Sequence, residues 1–569
     1  MKRQKTWLPK LACATALMAF ATPAFADKLI DNVNGMTLDK SGKLVRFTGI
    51  VLTEDGKVKE LLGEKDKRPK KDLTLRYNAG GKTMMPGFID AHGHVLGLGF
   101  NALLLDLSDS TSLDDALARI RDYAARNPEA PWIIGSGWNQ EKWGLGRFPT
   151  AAELDRATGG RPAWLTRVDG HAGWANSAAL QQAGISAASK APAGGRIEVE
   201  GGKPSGVFVD AAMSLVEAKV PKPLARDYDR AFAQAQIMLV QNGITTATDM
   251  GTTLDEWQAL RRAGDNDRLK MRIISYAGDI DNMTIIGGPS RTPWLYNDRL
   301  RMVGVKLYLD GALGSRGAWL KQPYSDAPGV TGLPLLNYSQ LRNKMVRASM
   351  DGFQVAVHAI GDRANDDALE AVESLSETFT GDRRWRIEHA QIADPVDIAR
   401  FGRNGVIASM QPVHETSDWK MAEARLGPNR LAGAYAWKSI AATGARVAFG
   451  SDFPVEHPNP LAGFAAAISR EDAQGQPVGG WQPQEKVSRE ATLDGFTRTA
   501  AFAGFAEDKI GILAPGMAAD FVMLNVDPLS ASPMAIRNGK VLETWVNGTP
   551  VYVADRASNA PKAEPLPSR

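Results

Sequence analysis

Eight short apolar, β-prone runs recur along the middle of this 569-residue chain: GFIDAH, GITTATDM, MRIISYA, VGVKLYLD, QVAVHA, RIEHAQ, GVIASMQP and RVAFGSD. Amphipathic helical stretches, such as residues 227–241 and 365–374, fall between them. Alternating strand-like and helix-like periodicity is the pattern of an α/β fold with a parallel sheet. Eight repeats predict a TIM-like (β/α)8 barrel over residues 86–507, and such barrels place their chemistry at the C-terminal ends of the strands. Here those ends carry His92 and His94, His358, His389 and Asp452.

Those residue types in those places point to a metal centre. Side chains two apart on a strand project to the same side, so His92 and His94 can grip one cation together. Four imidazoles and a carboxylate at matching strand ends supply the nitrogen and oxygen ligands of a divalent ion. Lys306 lies inside an apolar strand that a barrel buries on both sides. An ammonium cannot ligate a cation, but a carbamylated lysine offers two carboxylate oxygens that could bridge two metals. Asp452 can both ligate the ion and accept a proton from the attacking water.

The rest of the chain frames the barrel. Residues 27–85 and 508–556 read as short strands, neither set apolar enough to fold alone, so they are expected to pair into one small β-sandwich. The interval after the first run is too long for one crossover, and residues 97–221 are expected to form an insertion over the barrel mouth. Residues 557–569 form a polar tail expected to fray.

Residues 1–26 read as a secretory signal: Lys2, Arg3, Lys5 and Lys10, then an apolar stretch, then Ala24-Phe25-Ala26. The stretch is too short to span a membrane, so a periplasmic or secreted protein is expected. Loss of those four basic groups would take the formal charge from +3 to −1. A near-neutral chain has no global electrostatic reason to bind nucleic acid or anionic lipid. The one cysteine, Cys13, lies in the leader, so thiolate ligands and disulfides are excluded from the mature chain. No dinucleotide, phosphate-loop or nucleophile-elbow motif occurs in its required context.

GFIDAHGHV, the strand lysine, the two later strand-end histidines and GSD together resemble the amidohydrolase superfamily, in the subtype with a bridging carbamylated lysine. RVDGHAGWANSAAL, VKLYLDGALGSRGAWL, VHAIGDRAND, MQPVHETSD and GSDFPVEHPNPL resemble more narrowly its N-substituted formamide deformylase-like branch, amidohydrolase family 3. The resemblance implies that His92, His94, Lys306, His358, His389 and Asp452 hold one or two divalent ions. Zinc is the leading choice for a histidine-rich nitrogen and oxygen site.

The expected activity is hydrolysis of a non-peptide C–N bond, amide or N-acyl, by metal-activated hydroxide on a small-molecule substrate. His171, in the insertion, is expected to polarise the carbonyl or hold the oxyanion. Trp138, Asp310, Arg316, His414 and Asp418 are candidate substrate contacts. Three alternatives remain open: a lactone, ester or phosphoester hydrolase on the same scaffold, a mononuclear deaminase, and a non-catalytic periplasmic binding protein. The sequence leaves monomer and homo-oligomer equally open.

Overall fold

A computed structural model describes residues 27–554. The expected signal at 1–26 and the tail at 557–569 lie outside the described residues. The eight runs form one eight-stranded parallel sheet in chain order: Phe88–Gly93 (β1), Ile244–Thr252 (β2), Arg272–Ala277 (β3), Leu300–Tyr308 (β4), Gln354–Ala359 (β5), Arg386–His389 (β6), Ile407–Met410 (β7) and Val447–Phe449 (β8). Nearly every residue of these strands is buried, as a sheet covered on both faces requires.

The sheet closes through the turn after β8. Gly93 bridges Phe453 in parallel, the His94 amide donates to the Phe453 carbonyl at 2.7 Å, and the Asp452 amide donates to the His92 carbonyl at 2.7 Å. The Asp90 carboxylate on β1 receives the Ser451 amide at 3.0 Å and the Ser451 hydroxyl at 2.6 Å. A Cβ at Gly93 would lie 2.4 Å from the Phe453 ring, and one at Gly450 would lie 2.6 Å from both Asp90 Oδ1 and the His92 amide. Glycine is the residue that lets this seam form.

Helices cover the outside, and several are started by a local capping signal. The helix after β2, Leu254–Asp265, opens with a Thr253–Glu256 capping box, and the one after β4, Tyr338–Met350, with an Asn337–Gln340 box. Each satisfies amides that the first helical turn leaves free. The helix before β2, Ala225–Gln241, buries Ala231, Phe232, Ala235, Leu239 and Val240, the spacing of a single apolar stripe.

Strands from both ends of the described chain join one hydrogen-bonded sheet. Thr83–Pro86 pairs antiparallel with Phe521–Leu524, which pairs with Val541–Val546. Ile30, Phe47, Ile50, Met84, Phe521 and Trp545 belong to its separate apolar core. The chain between β1 and Ala225–Gln241 builds a mixed six-stranded sheet with Leu105–Asp106 at one edge and Gly195–Glu200 at the other. It has its own core around Trp138, Trp174, Leu154 and Ile120. The segment expected only to cover the mouth is thus a folded lobe.

Candidate metal centre

The strand ends bring six of the seven histidines into one contiguous cluster. Ring centroids lie 5.7 Å apart for His92–His94, 4.7 Å for His92–His389, 4.6 Å for His358–His389, 6.2 Å for His389–His414 and 5.1 Å for His171–His358. Ligand atoms of His92, His389 and Asp452 all fall within 4.8 Å of one another, and all three residues are buried. His389 and Asp452 have left-handed backbones, with φ of 72° and 59°. Such conformations cost of order 1–3 kcal/mol each in a non-glycine residue and are retained where surrounding structure dictates them. Here they turn two side chains inward at the ends of short strands.

Partners outside the cluster orient its rings. His92 Nδ1 lies 2.6 Å from Glu388 Oε2, and Arg386 clamps that carboxylate from both sides at 2.7 and 3.0 Å. The Arg386 guanidinium and the His92 ring outweigh the effect of burial and hold the Glu388 carboxyl well below its usual range. His92 Nε2 is left facing inward, 3.2 Å from Lys306 Nζ and 3.5 Å from Asp452 Oδ1. His389 Nδ1 lies 2.9 Å from Gln411 Oε1, which likewise turns Nε2 inward. Fixing a ring through one nitrogen so that the other can ligate is how metal sites set the histidine tautomer.

Burial and the Lys306 charge push the His92 imidazole down to about 4, and burial lowers His358 and His389 well below their usual value. Neutral imidazoles carry the lone pair that a cation needs. Burial pushes the Lys306 ammonium down to about 8. Burial would raise the Asp452 carboxyl, but the histidines that face it, His414 and His94 by hydrogen bonding, outweigh that and hold it well below its usual range. Its Oδ1 is buried without a hydrogen-bond partner, as is His358 Nε2, although His94 Nε2 stands 3.3 Å from that oxygen. Orphaned, converging lone pairs fit a divalent ion: His92, His389 and Asp452 would hold it, with His94, His358 and Lys306 around them.

The outer residues divide. His414 stands at the centre, its Nε2 3.3 Å from Asp452 Oδ2 and its Nδ1 3.5 Å from Glu456; the two carboxylates overcome burial and push it up to about 10. His171 reaches in from the inserted lobe. Its Nδ1 is 2.6 Å from Asp210 Oδ1, and that carboxylate overcomes burial to raise the imidazole. Asp418 accepts from the Tyr435 hydroxyl at 2.9 Å, and burial pushes its carboxyl up to about 6.

Of three further expected substrate contacts, Trp138 and Arg316 are engaged away from the cluster, while Asp310 abuts it, its Oδ1 3.6 Å from His358 Nε2. Trp138 is fully buried in the lobe core, its indole donating to the Leu165 carbonyl at 2.7 Å. Asp310 is fully buried and accepts from the amides of Trp319, Ile360 and Gly361 at 2.8–3.0 Å. Arg316 pairs with Asp326 at 2.7 Å. Glu388, Asp210, Gln411 and Asp90 were missed by sequence reasoning. Glu388 alone carried a signal: Arg386 and Glu388 are charges of opposite sign on the same face of an apolar run.

A barrel with nitrogen and oxygen donors converging at its C-terminal mouth defines the class of metal-dependent hydrolases. The Amidohydrolase family model matches residues 77–552, and this chain belongs to that family, hydrolases of carbon–nitrogen bonds. Protein LONG AFTER FAR-RED 3 of Arabidopsis thaliana is 34% identical over 84% of this chain and 84% of its own. The N-substituted formamide deformylase of Arthrobacter pascens is 27% identical over 92% of this chain and 98% of its own. The crystal structure of an uncharacterized metal-dependent hydrolase from Pyrococcus horikoshii superposes with a TM-score of 0.71 at 26% identity, covering 89% of this chain and 99% of that one.

Proposed function

We propose that this protein is an exported hydrolase that cleaves the amide or N-acyl C–N bond of a small molecule, with one or two zinc ions at the barrel mouth. The observation that carries the reading is the convergence of His92, His389 and Asp452 donor atoms within 4.8 Å. Likeness to a deformylase over nearly the whole of both chains supports the N-acyl choice, and the leader-like residues 1–26 support export.

When bound, the cation supplies Lewis acidity that ionises water near neutral pH and polarises a carbonyl. The chain's own groups do the rest. Asp452 takes the proton released by the attacking water and returns it to the leaving nitrogen. Its Oδ2 is steered by His414, 3.3 Å away. His171 presents Nε2 toward the carbonyl oxygen, where negative charge develops. Lys306, pushed down to about 8, has a share of neutral amine at neutral pH. That is the form that adds carbon dioxide to become a carbamate ligand.

The test is a hydrolysis panel of N-formyl and N-acetyl amides, lactones, phosphotriesters and amino-heterocycles, run alongside metal analysis and intact mass. Turnover of the amides, its loss in chelator and its return with zinc are expected, with a mass increase of one carbon dioxide when the metal is bound. Full amide turnover by chelated, metal-free protein would overturn the reading. So would turnover confined to the lactones, phosphotriesters or amino-heterocycles.

A further inference from the structure

His171 reaches the metal centre from a different structural unit, and something must aim it. It sits in the turn between Ala163–Arg167 and Ala172–Ala175 of the inserted sheet, where Gly170 has φ of 75° and the His171 amide donates to Asp169 Oδ1 at 3.1 Å. Ala172–Ala175 pairs antiparallel with Lys203–Asp210 in a register that sets Ala172 against Val209. Asp210 therefore follows directly beside His171, and its amide donates to the His171 carbonyl at 3.0 Å. Side chain and main chain meet at once, because Asp210 Oδ1 also lies 2.6 Å from His171 Nδ1.

Asp210 is itself seated from the barrel side. Its side chain is fully buried, and Oδ2 is buried without a hydrogen-bond partner. A Cβ at Gly311 would lie 2.4 Å from that oxygen and one at Gly317 2.5 Å. Both glycines belong to the loop after β4. That loop is fixed at its start by Asp310, which binds the amides of Trp319, Ile360 and Gly361. The lobe is fixed to the same loop by Arg425, which donates to the Leu313 and Gly314 carbonyls at 3.3 and 3.1 Å and pairs with Glu141 of the lobe. Asp210 also has φ of 50°, a left-handed backbone that a non-glycine residue adopts at a cost.

We propose that Asp210 is a positioning residue: seated between Gly311 and Gly317, it holds His171 through Nδ1 so that Nε2 faces the strand-end cluster. The inference rests on the hydrolase reading for what Nε2 does, but not for where it points. Asp210 touches neither substrate nor metal. It acts through His171, as a carboxylate behind a catalytic imidazole fixes its tautomer and orientation.

Two readouts test this. With only seven histidines, ring-15N-histidine labelling of the zinc-loaded protein resolves individual imidazoles, and His171→Ala identifies the His171 signals. The proton is expected on Nδ1 in the parent protein. In Asp210→Asn the two ring nitrogens should exchange character or average. Gly311→Ala alters neither Asp210 nor His171 chemically and should produce the same change by displacing the carboxylate. On the fastest amide of the panel, His171→Ala should lower kcat about 100- to 1000-fold with zinc content and melting temperature retained. Asp210→Asn should lower kcat at least about tenfold, and the double variant should be no slower than His171→Ala.

Unchanged His171 ring signals in both Asp210→Asn and Gly311→Ala overturn the proposal, as does full additivity of the two losses in the double variant. Failure of the hydrolase reading would show instead as no turnover anywhere in the panel, with the ring signals still deciding the role of Asp210.

Discussion

Glu388 makes no contact with the inner face of the cluster, yet it sets the ring that does. Its carboxylate takes His92 Nδ1 on one side and Arg386 on the other, all three side chains fully buried. Glu388→Gln keeps the shape and removes the charge, and the loss of such an outer partner weakens metal binding about 10- to 100-fold. Zinc competition with a chromogenic chelator measures this, and unchanged affinity would show that His92 needs no partner. Arg386→Met is a different experiment, because it strands a buried carboxylate. Breaking a buried pair from one side costs about 3–5 kcal/mol, so urea unfolding should show a large drop in stability. Asp452→Asn should leave the fold intact and lower kcat about 10²- to 10⁴-fold, the range for a positioned acid–base group. A loss under tenfold would move the proton-transfer role elsewhere.

At the scale of elements, the barrel is a set of strand ends held in register by one seam. Gly450 sits at that seam, where a methyl group would meet Asp90 Oδ1 and the His92 amide at 2.6 Å. Gly450→Ala is expected to cost about 1–3 kcal/mol through overpacking and to lower zinc occupancy with it, because the strained atoms carry a ligand. Stability and metal content measured on one sample check this; loss of one without the other would uncouple closure from the site. The strands were legible because apolar runs bounded by polar turns recur with helical stretches between them. Lys306 was legible because a lone charge inside such a run demands an explanation. Asp210 was not, because its partner lies 39 residues away and only the hairpin register brings them together. Trp138 misled for the opposite reason: a tryptophan in a glycine-rich loop sequence resembles a pocket wall, but its indole had a carbonyl to bind within the lobe.

The whole molecule is held by contacts between distant parts of the chain. Arg272 on β3 is buried and donates to Asp520 at 2.7 and 3.1 Å, tying the barrel floor to the turn before the C-terminal strands. Within the sheet made from both ends, Glu543 binds Lys82 Nζ at 2.6 Å, the Tyr77 hydroxyl and the Trp545 indole at 2.9 Å, so one carboxylate joins segments more than 450 residues apart. Burial alone would raise the Glu543 carboxyl, but these three donors outweigh it and hold it below its ordinary value of 4.5. A carboxyl lowered in the folded state stabilises that state above its unfolded pKa, and the stabilisation is lost as pH falls through the folded value. The parent protein should therefore lose stability between pH 4.5 and more acid values faster than Glu543→Gln does, while at pH 7 the variant should be weaker by about 1.5–3 kcal/mol, the range for hydrogen bonds to a charged group. Urea midpoints from pH 7 down to the acid limb measure both. The two curves should converge as pH falls, because protonating Glu543 removes from the parent what the substitution has already removed. Parallel curves would mean that the Glu543 charge adds nothing, and that the chain ends are joined by the backbone pairing of Thr83–Pro86 with Phe521–Leu524 and the packing around Phe521 and Trp545.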